Sequence, residues 1–388
     1  MKQITVSVLL CLMMTSFFGT NTYANEQTGE IQLAEQSASA IVIERDTGQV
    51  LFEKNSHEQL PPASMTKIMT MLLIMERIDN GTLSYDEKVR TSENAASMGG
   101  SQVFLEPGEE MTVTEMLKAI AVASGNDASV AMAEHIAGTE EEFVSLMNDK
   151  AKELGLKNTN FINSNGLPAE NHYTTAHDLA VISKELLKYE DITKFTSIYE
   201  DYLRKGTDKE FWLVNTNKLV KFYDGVDGLK TGFTKEAMYC LTATAEKNGM
   251  RVISIVMGAP TPKERNSQIT EMLDYSFSQY MTHPMYEKDQ LMGEIEIIKG
   301  DKKVVSVLTS ESISLLTKKG ESVDEVVERI KWNDELRAPI QKGEQVATLI
   351  LEQDGKILSE SPLVAADDVE SASWWQLFKR VFSKFGGN

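Results

Sequence analysis

Cysteine and histidine are scarce in this chain, which limits the kinds of site that it can build. The 388 residues include only 2 cysteines and 5 histidines. Cys11 lies in an apolar N-terminal stretch that we expect to be removed, so Cys240 alone would remain and no intramolecular disulfide could form. His172 and His177 lack a third ligand and a His-Glu-x-x-His pattern. We therefore expect no metal site, and nothing in the sequence calls for a cofactor.

Positive charge is also in short supply. Lysine and arginine total 39 against 58 aspartates and glutamates, which gives a formal net charge of −19 at pH 7. Proteins that bind nucleic acid neutralise its phosphates with basic side chains, so we expect no nucleic-acid partner. Glycine-rich phosphate loops and internal repeats are missing too. The acidity is typical of a protein kept soluble in an extracytoplasmic space.

One long apolar run is present, and it lies at the N-terminus. Lys2 precedes the apolar stretch from Ile4 to Phe18, and Thr22-Tyr23-Ala24 ends in a small residue. This pattern is typical of a cleaved secretory signal peptide rather than a membrane-spanning helix. We therefore predict a signal peptide at residues 1–24 and an exported protein.

The remaining chain changes character twice. Ser37 to Lys54 alternates in polarity around a turn at Asp46-Thr47-Gly48, which predicts a β-hairpin. A helical stretch follows from about Pro62 to Lys188. The sequence then predicts two antiparallel strands joined through Asn248-Gly249, at Met238 to Glu246 and Arg251 to Ala259. The pattern predicts an α+β domain at residues 25–282, with an antiparallel sheet flanked by a helical cluster.

From Gly293 onward the sequence consists of short β-rich runs. We predict a separate small all-β domain at residues 285–365, with a structural or positioning role. Its runs are Glu294 to Ile298, Val304 to Thr309, Ile313 to Thr317, Val326 to Trp332 and Val346 to Leu351.

The last segment, residues 371–386, predicts an amphipathic helix after the acidic linker Asp367 to Glu370. Lys379, Arg380 and Lys384 lie on or beside the polar face. A membrane span needs about 20 apolar residues, so this helix is too short to cross and instead suits an anchor at the membrane surface. The alternative is that it packs onto its own β domain. Its apolar face comprises Trp374, Trp375, Leu377, Phe378, Val381, Phe382 and Phe385.

Three short motifs carry the chemistry: Ser64-Met65-Thr66-Lys67, Ser124-Gly125-Asn126 and Lys230-Thr231-Gly232. Each is weak alone, because a serine three residues before a lysine usually marks a solvated helix face. A serine hydroxyl becomes a good nucleophile only when an adjacent base takes its proton. Residues i and i+3 share a helix face, so a helix that begins near Ser64 would place Lys67 beside the hydroxyl.

The other two motifs supply what such a pair would need. Lys67 can act as a base only if burial or a neighbouring cation, such as Lys230, lowers its pKa. Ser124 and Asn126 follow the apolar run Met116 to Ala123 and can relay a proton and hold a substrate amide. The first turn of a helix also offers unpaired N–H groups to a developing oxyanion.

These residues resemble the low-molecular-mass penicillin-binding proteins, specifically the serine D-alanyl-D-alanine carboxypeptidases, for which such motifs are known. Supporting segments are Leu154 to Phe161, Asn163 to Leu167 and Gly228 to Thr234. The resemblance covers nearly the whole chain after residue 24. It implies a β-lactamase/DD-peptidase-like fold with a second, all-β domain.

The resemblance also implies a role for each motif residue. Ser64 would be the nucleophile, Lys67 the general base, Ser124 the proton relay and Asn126 a contact to the substrate amide. The backbone N–H groups of Ser64 and Phe233 would form the oxyanion hole. The residues implied to bind the terminal carboxylate of the substrate are Lys230, Thr231, Gly232 and Arg265.

The implied reaction removes the terminal D-alanine from peptidoglycan stem pentapeptides through an acyl-enzyme, and β-lactams would acylate the same serine. The implied location is the outer face of the cytoplasmic membrane. A β-lactamase is the first alternative, although the second motif reads Ser-Gly-Asn rather than Ser-Asp-Asn and no clear Glu-x-x-x-Asn segment follows it. A non-catalytic protein that senses penicillin or binds the wall is the second.

Overall fold

The computed structural model describes residues 32–321, 323, 326–353 and 355–385, with side chains described as far as Arg380. The predicted signal peptide, residues 1–24, lies outside this part of the chain. The strands are β1 Ser39–Glu44, β2 Val50–Lys54, β3 Lys88–Arg90, β4 Glu110–Thr112, β5 Glu200–Leu203, β6 Phe211–Val214, β7 Val226–Thr234, β8 Met238–Lys247, β9 Met250–Ala259, β10 Tyr280–Tyr286, β11 Leu291–Glu296, β12 Val304–Thr309, β13 Ile313–Lys318, β14 Val327–Trp332, β15 Gln345–Gln353 and β16 Lys356–Ala365.

Helices are the main regular elements of the segment between β2 and β7. The α-helices are α1 Lys67–Asp79, α2 Glu93–Ala96, α3 Val113–Ala123, α4 Asn126–Ala137, α5 Glu140–Glu153, α6 Ala176–Leu186, α7 Thr193–Thr196, α8 Leu219–Phe222, α9 Pro262–Gln279 and α10 Trp374–Phe385. Short 3₁₀ turns cover Ala63–Thr66 and Glu190–Ile192.

The centre of the larger part is an antiparallel sheet with the strand order β2-β1-β9-β8-β7. Strands β1 and β9 are apolar and buried over most of their length, because one face packs on the helical cluster and the other packs on α9. A strand that is buried on both faces loses the alternating polarity of a surface strand. The predicted α+β class is confirmed, as are the predicted pairings of β1 with β2 and of β8 with β9.

Helix α1 runs through the middle of the helical cluster. Its residues from Lys67 to Met75 are all buried, as expected for a helix enclosed on every side. Helix α3 begins with a capping box between Thr112 and Glu115. It ends at Ser124, whose φ of 62° is left-handed and turns the chain directly into α4. This break places the residues of the second motif between two buried helices.

The expected helical stretch from about Pro62 to Lys188 is interrupted twice. The strands β3 and β4 form a short antiparallel ribbon before α3. A long loop joins α5 to α6, and its backbone is held by side chains: Asn148 both donates to Phe161 and accepts from it, and Glu140 accepts from Ser164. Such side-chain pairing replaces the bonds that a helix would supply. Helical periodicity in the neighbouring segments did not reveal this loop.

The C-terminal part contains a second antiparallel sheet, with the strand order β11-β12-β16-β15-β14. The run Ile313 to Thr317 was expected to belong with these strands, but as β13 it pairs instead with β10, a strand that the sequence analysis missed. The hydroxyl of Ser314 donates to a carboxylate oxygen of Asp46, 2.9 Å away, in the turn between β1 and β2. The boundaries at 282, 285 and 365 stay predictions.

Helix α10 follows the second sheet. The guanidinium of Arg380 donates to the backbone carbonyls of Gly300 and Asp301, so this basic residue faces the β domain. Trp374 and Trp375 are 71% and 60% exposed and pack against each other. The apolar residues predicted beyond Arg380 lie outside the described side chains. No helix in the described part of the chain is both long enough and apolar enough to cross a bilayer.

Asp127, at the start of α4, provides a test of how the helical cluster is held. One oxygen of its buried carboxylate accepts hydrogen bonds from the backbone N–H groups of Val103 and Leu105, and the other accepts from that of Ala128. Asparagine keeps only one of the two oxygens, so at least one of these donors would lose its acceptor. Leaving buried donors without an acceptor costs about 1–3 kcal/mol. We expect Asp127→Asn to lower the free energy of unfolding by that amount, measured by urea denaturation.

A matched control is Asp149→Asn on α5, because Asp149 is exposed and pairs with the exposed Lys152. Surface ion pairs contribute about 0–1 kcal/mol, so this variant should unfold close to the wild type. Equal losses in the two variants would contradict a special role for Asp127.

Candidate active site

Ser64 lies in the 3₁₀ turn that precedes α1 rather than in the α-helix itself. The α-helix begins at Lys67, but the turn keeps the two residues on one face, and Lys67 Nζ lies 3.2 Å from Ser64 Oγ. The prediction that a helical turn brings the lysine to the serine is confirmed by this distance. Ala63, before the serine, has a φ of 49°, a conformation that L-residues rarely adopt.

The side chain of Lys67 is completely buried. Its Nζ lies 2.6 Å from Asn126 Oδ1 and 2.5 Å from the carbonyl oxygen of Asn165. Burial, followed by the charge of Lys230, lowers the pKa of Lys67 well below its usual value, and the charge of Asp127 opposes this shift. A neutral amine beside a serine hydroxyl is suited to accept its proton.

The second motif meets the first across the junction of α3 and α4. Asn126 occupies the first position of α4, where its side-chain carbonyl contacts Lys67 and its amide donates to the carbonyl of Gly99 at 2.7 Å. The backbone N–H of Asn126 donates to the carbonyl of Ser101. Ser124 lines the same cleft as Ser64. The break between the helices therefore holds both predicted residues at the serine.

The third motif lies on β7, which is the edge strand of the central sheet. One edge of β7 pairs with β8, and one face of the strand packs on the Ser64 turn, so closely that a Cβ on Gly232 would lie 2.9 Å from the carbonyl oxygen of Pro62. The hydroxyl of Thr231 donates to that of Thr216 at 2.7 Å. The ring of Phe233 stacks on Tyr239 and is half exposed. An edge strand beside a nucleophile can pair with an extended peptide.

Two further buried basic side chains lie near the serine. Lys230 is almost fully buried, and burial, with the charge of Arg265 as a second cause, lowers its pKa to about 7. Arg265, in the first turn of α9, is also buried, and burial lowers its pKa to about 10, so the guanidinium remains charged at neutral pH. It donates to the side-chain oxygen of its neighbour Asn266. Such a cluster attracts an anionic ligand.

An open cleft of about 490 Å³ brings most of the predicted residues together. The cleft is lined by Ser64, Ser124, Thr231, Gly232, Phe233 and Arg265, together with the previously unassigned Ser101, Asn215, Thr216 and Tyr239. Lys67, Asn126 and Lys230 lie behind this surface. All nine predicted residues thus converge, while their individual roles stay predictions.

Two residues of the loop between α5 and α6 were missed as parts of the site. The carbonyl of Asn165 contacts Lys67, and Gly166 packs so closely on the Ser64 turn that a Cβ there would collide with the Ala63 carbonyl oxygen. The φ of Gly166, 86°, also favours glycine. The segment Asn163 to Leu167 was noticed as part of the resemblance, but a backbone carbonyl leaves no chemical signal in a sequence.

A neighbouring cleft of about 600 Å³ is larger but contains none of the predicted residues. It lies between the segment Gly166 to Tyr173 and the end of β7 at Thr234. Among the residues that the structure describes, no cluster of three histidine, cysteine or acidic side chains is arranged to hold a metal ion. The first cleft presents the Ser64 hydroxyl, with the buried Lys67 amine beside it and the Arg265 guanidinium among its lining groups.

Two family matches together cover most of the chain. Residues 25–261 match the family D-alanyl-D-alanine carboxypeptidase. Residues 280–371 match the family of the C-terminal domain of penicillin-binding protein 5. The second match covers the β-sheet of the C-terminal part, which the sequence analysis had assigned to a separate domain.

The chain is similar to curated relatives over nearly its full length. It is 59% identical to D-alanyl-D-alanine carboxypeptidase DacF of Bacillus subtilis over 381 residues, covering 98% of each chain. It is 33% identical to D-alanyl-D-alanine carboxypeptidase DacA of Escherichia coli over 347 residues, covering 87% of this chain and 84% of that protein.

Solved structures show the same likeness. Penicillin-binding protein 5 from Haemophilus influenzae aligns with a TM-score of 0.69 at 30% identity, covering 88% of this chain and 99% of that one. Penicillin-binding protein D2 from Listeria monocytogenes in its cefotaxime-bound form aligns with a TM-score of 0.57 at 32% identity, covering 64% of this chain and 99% of that one. The chain belongs to the peptidase S11 family of D-alanyl-D-alanine carboxypeptidases, within the low-molecular-mass penicillin-binding proteins.

Proposed function

We propose that the protein is a serine DD-carboxypeptidase that removes the terminal D-alanine from peptidoglycan stem pentapeptides through an acyl-enzyme on Ser64. The observation that carries this proposal is the fully buried Lys67 amine, 3.2 Å from the Ser64 hydroxyl. Because its pKa is lowered, the amine can take the hydroxyl proton. Family membership and the converging motifs support the substrate class.

In the proposed reaction, Lys67 takes the Ser64 proton while Oγ attacks the carbonyl of the penultimate D-alanine. The backbone N–H groups of Ser64 and Phe233 receive the oxyanion. Ser124 passes a proton to the amide nitrogen and regains one from Lys67, so the C–N bond breaks, D-alanine leaves and Lys67 is neutral again. Water then attacks the ester, Lys67 takes a proton from that water, and Ser64 regains its proton as the acyl group leaves.

The cations explain why the enzyme would cut only at a chain end. Arg265 on α9 and Thr231 on β7 line the cleft, and the buried Lys230 precedes Thr231 on the same strand. A terminal carboxylate would gain charge-assisted hydrogen bonds there. A peptide that continued past the terminal carboxylate position would bury polar backbone against the cations without forming these charge-assisted hydrogen bonds. The site therefore favours a carboxypeptidase.

β-Lactams would acylate Ser64 because they present a reactive carbonyl and a carboxylate to the same groups. The similar penicillin-binding protein D2 from Listeria monocytogenes has solved structures in cefotaxime-bound and ampicillin-bound forms. We propose that release of the penicilloyl group is slow here, because the sequence between the second and third motifs has no clear Glu-x-x-x-Asn segment of the kind that supplies the deacylating glutamate in class A β-lactamases.

We further propose that the protein is exported by a cleaved signal peptide at residues 1–24 and acts at the outer face of the cytoplasmic membrane, attached through the helix at 371–386. The exposed Trp374 and Trp375 support this attachment, since tryptophan prefers the headgroup region of a bilayer. Arg380, which donates to the β domain, would orient the helix rather than contact lipid.

The reaction is tested by mass spectrometry of purified residues 25–388 with penicillin and, separately, with diacetyl-Lys-D-Ala-D-Ala. We expect a stable penicilloyl adduct on Ser64 and steady release of D-alanine. Ser64→Ala should abolish both, whereas Ser278→Ala on the exposed side of α9 should change neither. Rapid hydrolysis of penicillin with an untouched peptide would mean a β-lactamase, and an adduct without D-alanine release would mean a sensor.

The pH dependence of kcat/KM should be bell-shaped. Lys67 must be neutral, so activity should rise as the pH rises through its lowered pKa. Lys230 must be charged to attract the carboxylate, so activity should fall as the pH rises above about 7, the pKa of Lys230. Lys230→Arg keeps the charge at high pH and should move the alkaline limb upward. An unmoved limb would contradict the role given to Lys230.

Membrane attachment is tested by sedimentation with vesicles of anionic phospholipid. Residues 25–388 should sediment with the vesicles, and replacing both Trp374 and Trp375 with Ala should weaken this binding at least tenfold, because two interfacial aromatics are lost. A control that replaces the exposed aromatics Trp212 and Phe222 of the larger part should bind like the wild type. Equal binding by all proteins would contradict the anchor.

A further inference from the structure

A chain of hydrogen bonds runs from the loop between α5 and α6 to the peptide bond just before Ser64. The backbone N–H of Ile162 lies 3.0 Å from Nδ1 of His172. His172 Nε2 lies 2.8 Å from Thr66 Oγ1, and Thr66 Oγ1 donates to the carbonyl oxygen of Ala63 at 2.8 Å. Thr66 is fully buried and His172 nearly so. None of these contacts is explained by the roles given to the three motifs.

The direction of each bond follows from its donors. A backbone N–H can only donate, so His172 Nδ1 is the acceptor and the ring proton lies on Nε2. That proton is donated to Thr66 Oγ1, which leaves the threonine hydroxyl free to donate to Ala63. Burial lowers the pKa of His172 to about 4, so the imidazole is neutral at neutral pH and has both a donor and an acceptor nitrogen. All three hydrogen bonds are therefore donated in the same direction, which ends at the Ala63 carbonyl.

The Ala63 carbonyl and the Ser64 N–H belong to one peptide group. A hydrogen bond donated to the oxygen of an amide polarises that amide and makes its N–H a stronger donor. The same peptide group is also fixed in place, because Gly166 packs against its oxygen and the φ of Ala63 is 49°. Backbone in this region costs free energy and persists only where the surroundings hold it.

We propose that Thr66 and His172 are positioning residues that orient and polarise the Ala63–Ser64 peptide, so that its N–H serves as an oxyanion-hole donor. This inference rests on the proposed function, in which the Ser64 N–H receives the oxyanion. Neither side chain lines the cleft that contains Ser64, and His172 lines the neighbouring one. They act through the backbone of the nucleophile.

Thr66 offers an isosteric pair of variants. Thr66→Val keeps the shape and removes the hydroxyl, whereas Thr66→Ser keeps the hydroxyl and removes a methyl group. Loss of a complete oxyanion-hole donor costs about 10²–10³ in rate. Here the donor remains and loses only its polarisation and alignment, so we expect Thr66→Val to slow acylation of Ser64 by penicillin about tenfold. Thr66→Ser should stay within about twofold of the wild type, although it removes buried volume.

Two readouts separate this role from a loss of packing. Stopped-flow kinetics should show a lower acylation rate constant in Thr66→Val with an unchanged dissociation constant of the pre-acylation complex. Infrared spectra of the penicilloyl-enzyme should show the ester carbonyl stretch at a higher frequency than in the wild type, because a weaker oxyanion hole polarises the carbonyl less. Thr66→Ser should show the wild-type frequency even if it unfolds at a lower temperature.

A double-mutant cycle tests the connection to His172. His172→Phe breaks the same chain one step earlier, so it should slow acylation by a similar factor, and the double variant with Thr66→Val should be no slower than the slower single variant. If the losses in acylation rate were additive, the two residues would not act through a single series of hydrogen bonds. If Thr66→Val does not fold, His172→Phe takes its place in the kinetic and infrared comparison.

The outcomes distinguish this inference from the function on which it rests. If wild-type protein forms no penicilloyl adduct, the proposed function fails. If wild-type protein is acylated and Thr66→Val matches Thr66→Ser in both rate and carbonyl frequency, the function stands and the role of Thr66 and His172 is wrong.

Discussion

The active site depends above all on the burial of one amino group. Lys67 Nζ is enclosed by the Ser64 hydroxyl, the Asn126 side chain and the Asn165 carbonyl, which come from three separate segments of the chain. Burying an ammonium ion without a carboxylate partner is costly, and the cost falls when the group loses its proton. The fold thus lowers the pKa of the lysine by burying it and placing a second lysine nearby, which is what the proposed role as a base requires.

Each major element serves this arrangement. The buried helix α1 carries the lysine into the core, the break between α3 and α4 brings Asn126 against it, and the loop between α5 and α6 supplies the Asn165 carbonyl. Strand β7 closes the other side and contributes Lys230. Because the strand is at the sheet edge, its free side is open to an extended peptide beside the nucleophile. Catalytic groups and substrate-binding backbone therefore meet at one boundary, between the sheet and the helices.

No residue that the structure describes in the C-terminal part lines this cleft. That part has its own apolar core, and the strand pair β10 and β13 lies between that core and α9. The contact between Ser314 and Asp46 and the contacts of Arg380 tie it to the first hairpin and to α10. This arrangement is consistent with a part that positions the catalytic domain and leaves the chemistry to the Ser64 cleft.

The sequence alone determined the α+β class, the hairpin β1–β2, the pair β8–β9 and the nine residues that converge at the site. These follow from local information, because strand polarity, turn residues and the i, i+3 geometry of Ser64 and Lys67 act over a few positions. Tertiary structure decided the rest. The Asn165 carbonyl, the close approach of Gly166 and the path from His172 to Ala63 depend on backbone atoms brought together across about 100 residues of sequence, and every residue type carries the same backbone carbonyl. The pairing of β13 with β10 was decided in the same way, since an apolar run shows that a strand will form but not which strand it will meet.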